Sequence, residues 1–85
     1  MYEVILSPEA RAFFVEAEKP LARKLSRCFA ELEREPRRHN NIKRLTGKHA
    51  GLSRYRVGGW RVIYRIDDDG NRVLVLSIAN RREAY

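Results

Sequence analysis

The sequence predicts an α+β domain in the order β-α-α-β-β-β: a twisted, mainly antiparallel sheet with an N-terminal helical hairpin on one face and an open basic face. Three observations predict it. Apolar residues recur at helical spacing through the N-terminal part of the chain. A Gly58-Gly59 pair then divides two stretches of strict alternation. A second turn signal, Asp67-Asp68-Asp69-Gly70-Asn71, precedes a last aliphatic stretch, Arg72 to Ala79.

Tyr2 to Leu6 alternates, with Tyr2, Val4 and Leu6 on one side and Glu3 and Ile5 on the other, so a short first strand is expected. Which edge of the sheet it joins is not deducible. Ser7-Pro8-Glu9 starts a helix: serine caps it, proline fits the first helical position, and glutamate lies near the positive end of the dipole. Ala10, Phe13, Phe14 and Ala17 recur at i, i+3, i+4 and i+7 as its buried stripe. Lys19-Pro20 breaks this helix, and Pro20 opens a second. Leu21, Leu25, Cys28, Phe29 and Leu32 form the second stripe, leaving Arg23, Lys24, Arg27, Glu31 and Arg34 outside. Cys28 on that stripe reads as a packed, inert thiol. Pro36 ends the helix, and Arg37 to Gly51 shows too little periodicity to assign an element.

Gly58-Gly59 reads as a type I′ turn, because glycine adopts positive φ freely. The turn sets the register: Val57 opposite Trp60, Arg56 opposite Arg61, Tyr55 opposite Val62, Arg54 opposite Ile63, Ser53 opposite Tyr64. One face then carries Tyr55, Val57, Trp60, Val62, Tyr64 and Ile66; the other carries Arg54, Arg56, Arg61 and Arg65. For the last strand, loop parity decides the faces. A two-residue Asp69-Gly70 turn sets Leu74, Leu76 and Ile78 beside the arginines. An odd-numbered loop, with Gly70 or Asn71 left-handed, sets them beside Val62 and Tyr64 and aims Arg81 at the arginine face. The odd loop is expected, since it sends the bulky aliphatics to the core.

Eighty-five residues make one domain, spanning 1–85, with no repeat or low-complexity segment. A net charge of +7 and a pI near 10.2 favour polyanionic partners. No apolar run approaches the ~20 residues needed to span a bilayer, and the N-terminus has no signal-peptide pattern. The single cysteine excludes an internal disulfide and a cysteine-built zinc site, and fits a reducing cytoplasm. Neither His39 nor His49 belongs to a metal-ligand spacing, although His49 leads into the hairpin. Arg56 directly across from Arg61 is a like-charge pair, destabilising by about 0.2–1 kcal/mol unless an anion lies between them. Four arginines on one ribbon suit phosphate, which planar guanidiniums grip bidentately. Nucleic acid is the expected ligand class. Lys43, Arg44, Lys48, Arg56, Arg65 and Arg82 are the candidate nucleic-acid-binding residues.

With those residues in place the chain resembles the RelE/ParE toxin superfamily of bacterial toxin–antitoxin systems over essentially its whole length. The resemblance rests on the two-helix N-terminal half, on Lys43-Arg44-Leu45-Thr46-Gly47, on Leu52 to Tyr64 and on the tail Arg81-Arg82-Glu83-Ala84-Tyr85. The RelE branch implies a ribosome-dependent endoribonuclease that cuts mRNA in the decoding site. The ParE branch implies a gyrase inhibitor without nuclease chemistry. A plain nucleic-acid-binding module needs only the basic face.

An arginine after the last strand, followed shortly by tyrosine, resembles the RelE active site, so mRNA cleavage is the expected function. The resemblance implies catalytic roles for Arg54, Arg61, Arg81 and Tyr85. Arg61 would hold the scissile phosphate, and Arg81 would stabilise the phosphorane and protonate the leaving 5′ oxygen. Tyr85 would orient the nucleotide. The RNA's own 2′-hydroxyl attacks, leaving a 2′,3′-cyclic phosphate, with no metal and no small-molecule cofactor. The implied partners are a cognate antitoxin, the ribosome and mRNA. In one respect the chain departs from the pattern: where relatives offer lysines on the first hairpin strand, it has Leu52 and Arg54. Arginine is a poor base. The proton acceptor stays open among Lys48, His49 and Tyr85.

Overall fold

A computed structural model describes residues 1–80. In chain order these form β1 (Glu3–Leu6), α1 (Pro8–Glu16), α2 (Lys19–Arg34), β2 (Ile42–Arg44), a 3₁₀ turn (Gly47–His49), β3 (Ser53–Val57), β4 (Trp60–Asp67) and β5 (Arg72–Asn80). The strands make one sheet in the order β1-β5-β4-β3-β2. β1 runs parallel to β5 and every other pairing is antiparallel. The expected α+β architecture is therefore present, with one strand more than the sequence indicated. β2 escaped notice because three residues in a basic stretch carry no readable period; its pairing to β3 is what defines it. No helix among the described residues is long and apolar enough to cross a membrane.

Both helix starts follow the sequence. The Ser7 side chain accepts from the Ala10 amide at 3.0 Å, and Pro8 sits in the first turn of α1. Pro20 does the same in α2. The hairpin lays its apolar stripes on one sheet face. Ala10, Leu25, Cys28 and Leu32 are buried there against Tyr55, Val57, Val62, Tyr64, Val73, Val75 and Ile78. Phe13 packs on Trp60 with ring centroids 4.9 Å apart, and Phe14 meets Phe29 edge-on at 5.4 Å. Tyr64 is fully buried, and its hydroxyl donates to the Pro36 carbonyl at 2.6 Å. Burial also pushes the Cys28 thiol up to about 12, with the Glu31 charge adding to it, so this cysteine is the inert thiol expected.

The hairpin register is the one read from the sequence, from Val57 opposite Trp60 to Ser53 opposite Tyr64. The turn type is not. Only Gly58 has positive φ (61°), which is the pattern of a type II′ turn, glycine at the first central position, rather than type I′. Both types join strands through two residues, so the register is unaffected.

The β4–β5 connection overturns the expected parity. Asp67 pairs with Arg72, leaving Asp68, Asp69, Gly70 and Asn71 between them, an even loop. Asn71 is left-handed, with φ 56°. Val73 and Val75 therefore meet Ile66 and Tyr64 on the helix side, while Leu74 falls opposite Arg65. A register shift follows: Ile63 pairs with Ser77 and Tyr64 with Val75, so Leu76 is the extra residue of a β-bulge and stays 38% exposed. Beyond it Ile78 reaches the core, and Ala79 lies opposite Arg61. Of the three aliphatics expected inside, only Ile78 belongs to the core. The physical reason is that Val73, Leu74, Val75 and Leu76 are aliphatic at both parities, so the pattern offered no choice of face. The expectation that Arg81 shares the arginine face lies outside the described residues.

Candidate functional site

On the face away from the helices, β2, β3 and β4 bring cations side by side. The β2–β3 register puts Lys43 opposite Arg54, and the β3–β4 register puts Arg56 opposite Arg61. Two like-charge cross-strand pairs each act against the sheet by about 0.2–1 kcal/mol. The first was invisible in the sequence because β2 was. Between Arg54 and Ser77 lies Ile63, which is only 6% exposed although it stands apart from the helix-side core. Long side chains with apolar stems can shield such a residue while keeping their charged ends in water.

The strand positions converge on a cavity of about 340 Å³ lined by Lys43, Arg44, Leu45, Thr46, His49, Arg54 and Arg61. No carboxylate is among the described lining residues. Arg54 and Arg61 are half-buried, and the Arg54 Nη1 donates to the Asn41 carbonyl at 3.3 Å, which turns the guanidinium toward the start of β2. The far wall is the 3₁₀ turn. Gly47 enters it at φ 66° and Gly51 leaves at φ 93°. The Ala50 amide donates to the Gly47 carbonyl at 3.1 Å, and the Leu52 amide donates to the His49 carbonyl at 3.1 Å. Those bonds hold half-buried His49 at the cavity wall.

Four of the predicted site residues, Lys43, Arg44, Arg54 and Arg61, thus share one cavity. Three others do not. Arg56 lines a separate cleft between β3 and α2, with Lys24 and Arg27 for company. Arg65 is exposed opposite Leu74, and Lys48 is exposed on the turn. Arg81, Arg82 and Tyr85 lie outside the described residues. Arg44 also lines a second cleft, of about 410 Å³, with Arg37 and Arg38. There Arg37 is committed to the fold: it donates to Asp68 Oδ2 at 2.6 Å and to the Tyr2 hydroxyl at 3.0 Å, bonds that hold its proton more firmly still. His39 is also structural. Its Nδ1 accepts from the Asn41 amide at 3.0 Å, and its ring packs on Tyr55 at 5.1 Å between centroids. Of the two histidines only His49 reaches the cavity. Its place between two glycines just ahead of the hairpin was the available signal.

This mixed five-stranded sheet, helix-backed on one side, matches the RelE-like fold. Residues 4–85 match the family described as the ParE toxin of the type II toxin–antitoxin system parDE, and the chain belongs to that family. It is similar to Toxin RelG of Mycobacterium tuberculosis (strain ATCC 25618 / H37Rv), 38% identical over 58 residues. The matched stretch covers 68% of this chain and 64%, just under two thirds, of that relative. Its fold superimposes on the RelBE2 toxin–antitoxin complex of M. tuberculosis with a TM-score of 0.80 and 30% identity, over 94% of this chain and 98% of that one. The archaeal RelE–RelB complex from Pyrococcus horikoshii OT3 gives a TM-score of 0.82 and 25% identity, over 98% of both chains.

Proposed function

We propose that this toxin is a ribosome-dependent mRNA endoribonuclease that halts translation. The observation that carries the reading is the convergence of Lys43, Arg44, Arg54 and Arg61 on one cavity with no carboxylate among its described lining residues. Such a site suits a phosphodiester whose charge increases as the reaction proceeds. Arg54 and Arg61 bind the scissile phosphate and meet the charge that develops on it; a donor placed for that purpose is commonly worth about 10²–10³ in rate. Lys43 and Arg44 guide the strand by phosphate contact. The resemblance to the RelE branch assigns Arg81 to the charge that develops on the phosphorane and Tyr85 to the nucleotide. The attacking group is the RNA's 2′-hydroxyl, held in line by the ribosome, so positioning supplies much of the rate.

A cognate antitoxin neutralises the protein by covering the cationic face with an acidic or amphipathic segment, a helix in a groove or an added strand. Solved relatives that are toxin–antitoxin complexes support this part of the reading. The second reading, gyrase inhibition without cleavage, is favoured by the description of the matching family. One pair of assays separates the two. Purified protein added to a reconstituted translation mixture should cut ribosome-bound mRNA and leave gyrase supercoiling untouched. Intact mRNA together with inhibited supercoiling would replace the nuclease reading with the gyrase one.

A further inference from the structure

Cleavage by a 2′-hydroxyl needs a group to take its proton, and the cavity narrows the choice. Its lining cations are of two types. An arginine guanidinium keeps its proton at any pH a protein survives, and a lysine ammonium keeps its own near neutrality. The Thr46 hydroxyl is no base. Imidazole is the side-chain type whose charge ordinarily changes between pH 5 and 8. Among the described lining residues His49 is the one that carries an imidazole, the side-chain type most often used as a general base. Two further facts favour it. The 3₁₀ turn fixes its backbone through bonds at Thr46, Gly47 and Leu52, and the cavity that it borders holds both Arg54 and Arg61. Lys48, also conceivable from sequence, is exposed and absent from the lining.

We propose that His49 is the proton acceptor for RNA cleavage, working while Arg54 and Arg61 hold the scissile phosphate. The assignment rests on the nuclease reading above. A lone pair on the neutral ring takes the 2′-hydroxyl proton as O2′ bonds to phosphorus. The P–O5′ bond breaks with its electron pair going to O5′, which takes a proton from water. The hydroxide so formed is neutralised by the imidazolium proton, restoring the ring. The charged residues that share the cavity lining with His49 are Lys43 and Arg44 from β2, Arg54 from β3 and Arg61 from β4, with Lys48 its neighbour in the chain.

The test is single-turnover cleavage of ribosome-bound mRNA from pH 5.5 to 8.5 by wild-type protein and His49→Ala, with and without added imidazole. Wild-type cleavage should rise about tenfold per pH unit at the acid end and then level off, as expected for a reaction that needs one group deprotonated. His49→Ala should lose about 10²–10⁴ in rate, together with the acid limb, while its affinity for RNA changes less than about threefold. Free imidazole should restore cleavage and the limb with it. A His49→Ala protein that keeps the limb overturns the assignment, and so does lost cleavage that imidazole fails to restore. Wild-type protein that never cuts sinks the nuclease reading itself, a result distinguishable from either.

Discussion

At the scale of single residues, Tyr64 and Cys28 show how little slack the helix-side core has. The Tyr64 hydroxyl donates to the carbonyl of Pro36, whose own side chain is fully buried, and also meets the Ser53 side chain. Tyr64→Phe leaves that carbonyl without its donor in a desolvated place, and should cost about 1–3 kcal/mol in urea unfolding with an unchanged m-value. Cys28 gives a pH dependence. Its thiol pKa is raised to about 12 in the fold, so above the ordinary value of 9.0 the unfolded chain releases a proton that the folded one keeps. The unfolded state then binds fewer protons, and stability falls as pH rises, by up to about 1.4 kcal/mol per pH unit from this group. Burial raises Tyr64 as well, which acts in the same direction at higher pH. Melting wild-type and Cys28→Ala protein between pH 8 and 11 should show a shallower alkaline decline in the variant.

At the scale of elements, the bulge in β5 and the start of α1 are one device. The bulge leaves Leu76 out of the β4 ladder. Its carbonyl instead accepts from the Ser7 hydroxyl at 2.7 Å, and the Ser7 amide donates to the Val75 carbonyl at 2.8 Å. The same Ser7 oxygen caps α1 by accepting from the Ala10 amide. One hydroxyl therefore ties the helical hairpin to the strand whose phase it helps hold. Ser7→Ala should cost about 0.5–2 kcal/mol through the cap. Ser7→Asp retains a capping acceptor but has no proton for Leu76, so it should recover only part of that loss. Thermal melts of the three proteins decide between a cap alone, which predicts full recovery, and the double role.

At the scale of the whole molecule, a charge of +7 on 85 residues shows itself on several surfaces. The sheet face, the cleft of Arg38 and Arg44, and the α2 edge with Lys24, Arg27 and Arg56 are all cationic. Arg44 stands between the first two clefts, so a strand crossing from one to the other passes it. Arg44→Ala should weaken single-stranded RNA binding across sequences. It should also flatten the dependence of log K on log salt by about 0.7, the signature of one lost phosphate contact. A titration series over several salt concentrations reads this slope. An unchanged slope would remove Arg44 from the path. Antitoxin binding should weaken with salt for the same reason, since exposed charges are screened over about 8 Å at physiological ionic strength.

Local patterns by themselves determined both helices, the central hairpin and its register, because caps, prolines and a two-glycine turn act over a few residues. They placed Arg54 and Arg61 on one face, since side chains alternate along a strand. What they left open was decided by contacts between distant segments. β1 could choose its edge only by pairing with β5 from the far end of the chain. β2, too short to show a period, exists through its bonds to β3, and with it come the Lys43–Arg54 pair and the cavity wall. The phase of β5 was ambiguous because Val73 to Leu76 suits either face. Tertiary structure resolved it with an even loop and a bulge, which keep Val73, Val75 and Ile78 inside and leave Leu76 to a hydroxyl from the helix start. His49 joined the arginines in the same way: nothing in its neighbours along the chain names Arg61, and only the folding of the turn against the sheet brings them to one cavity.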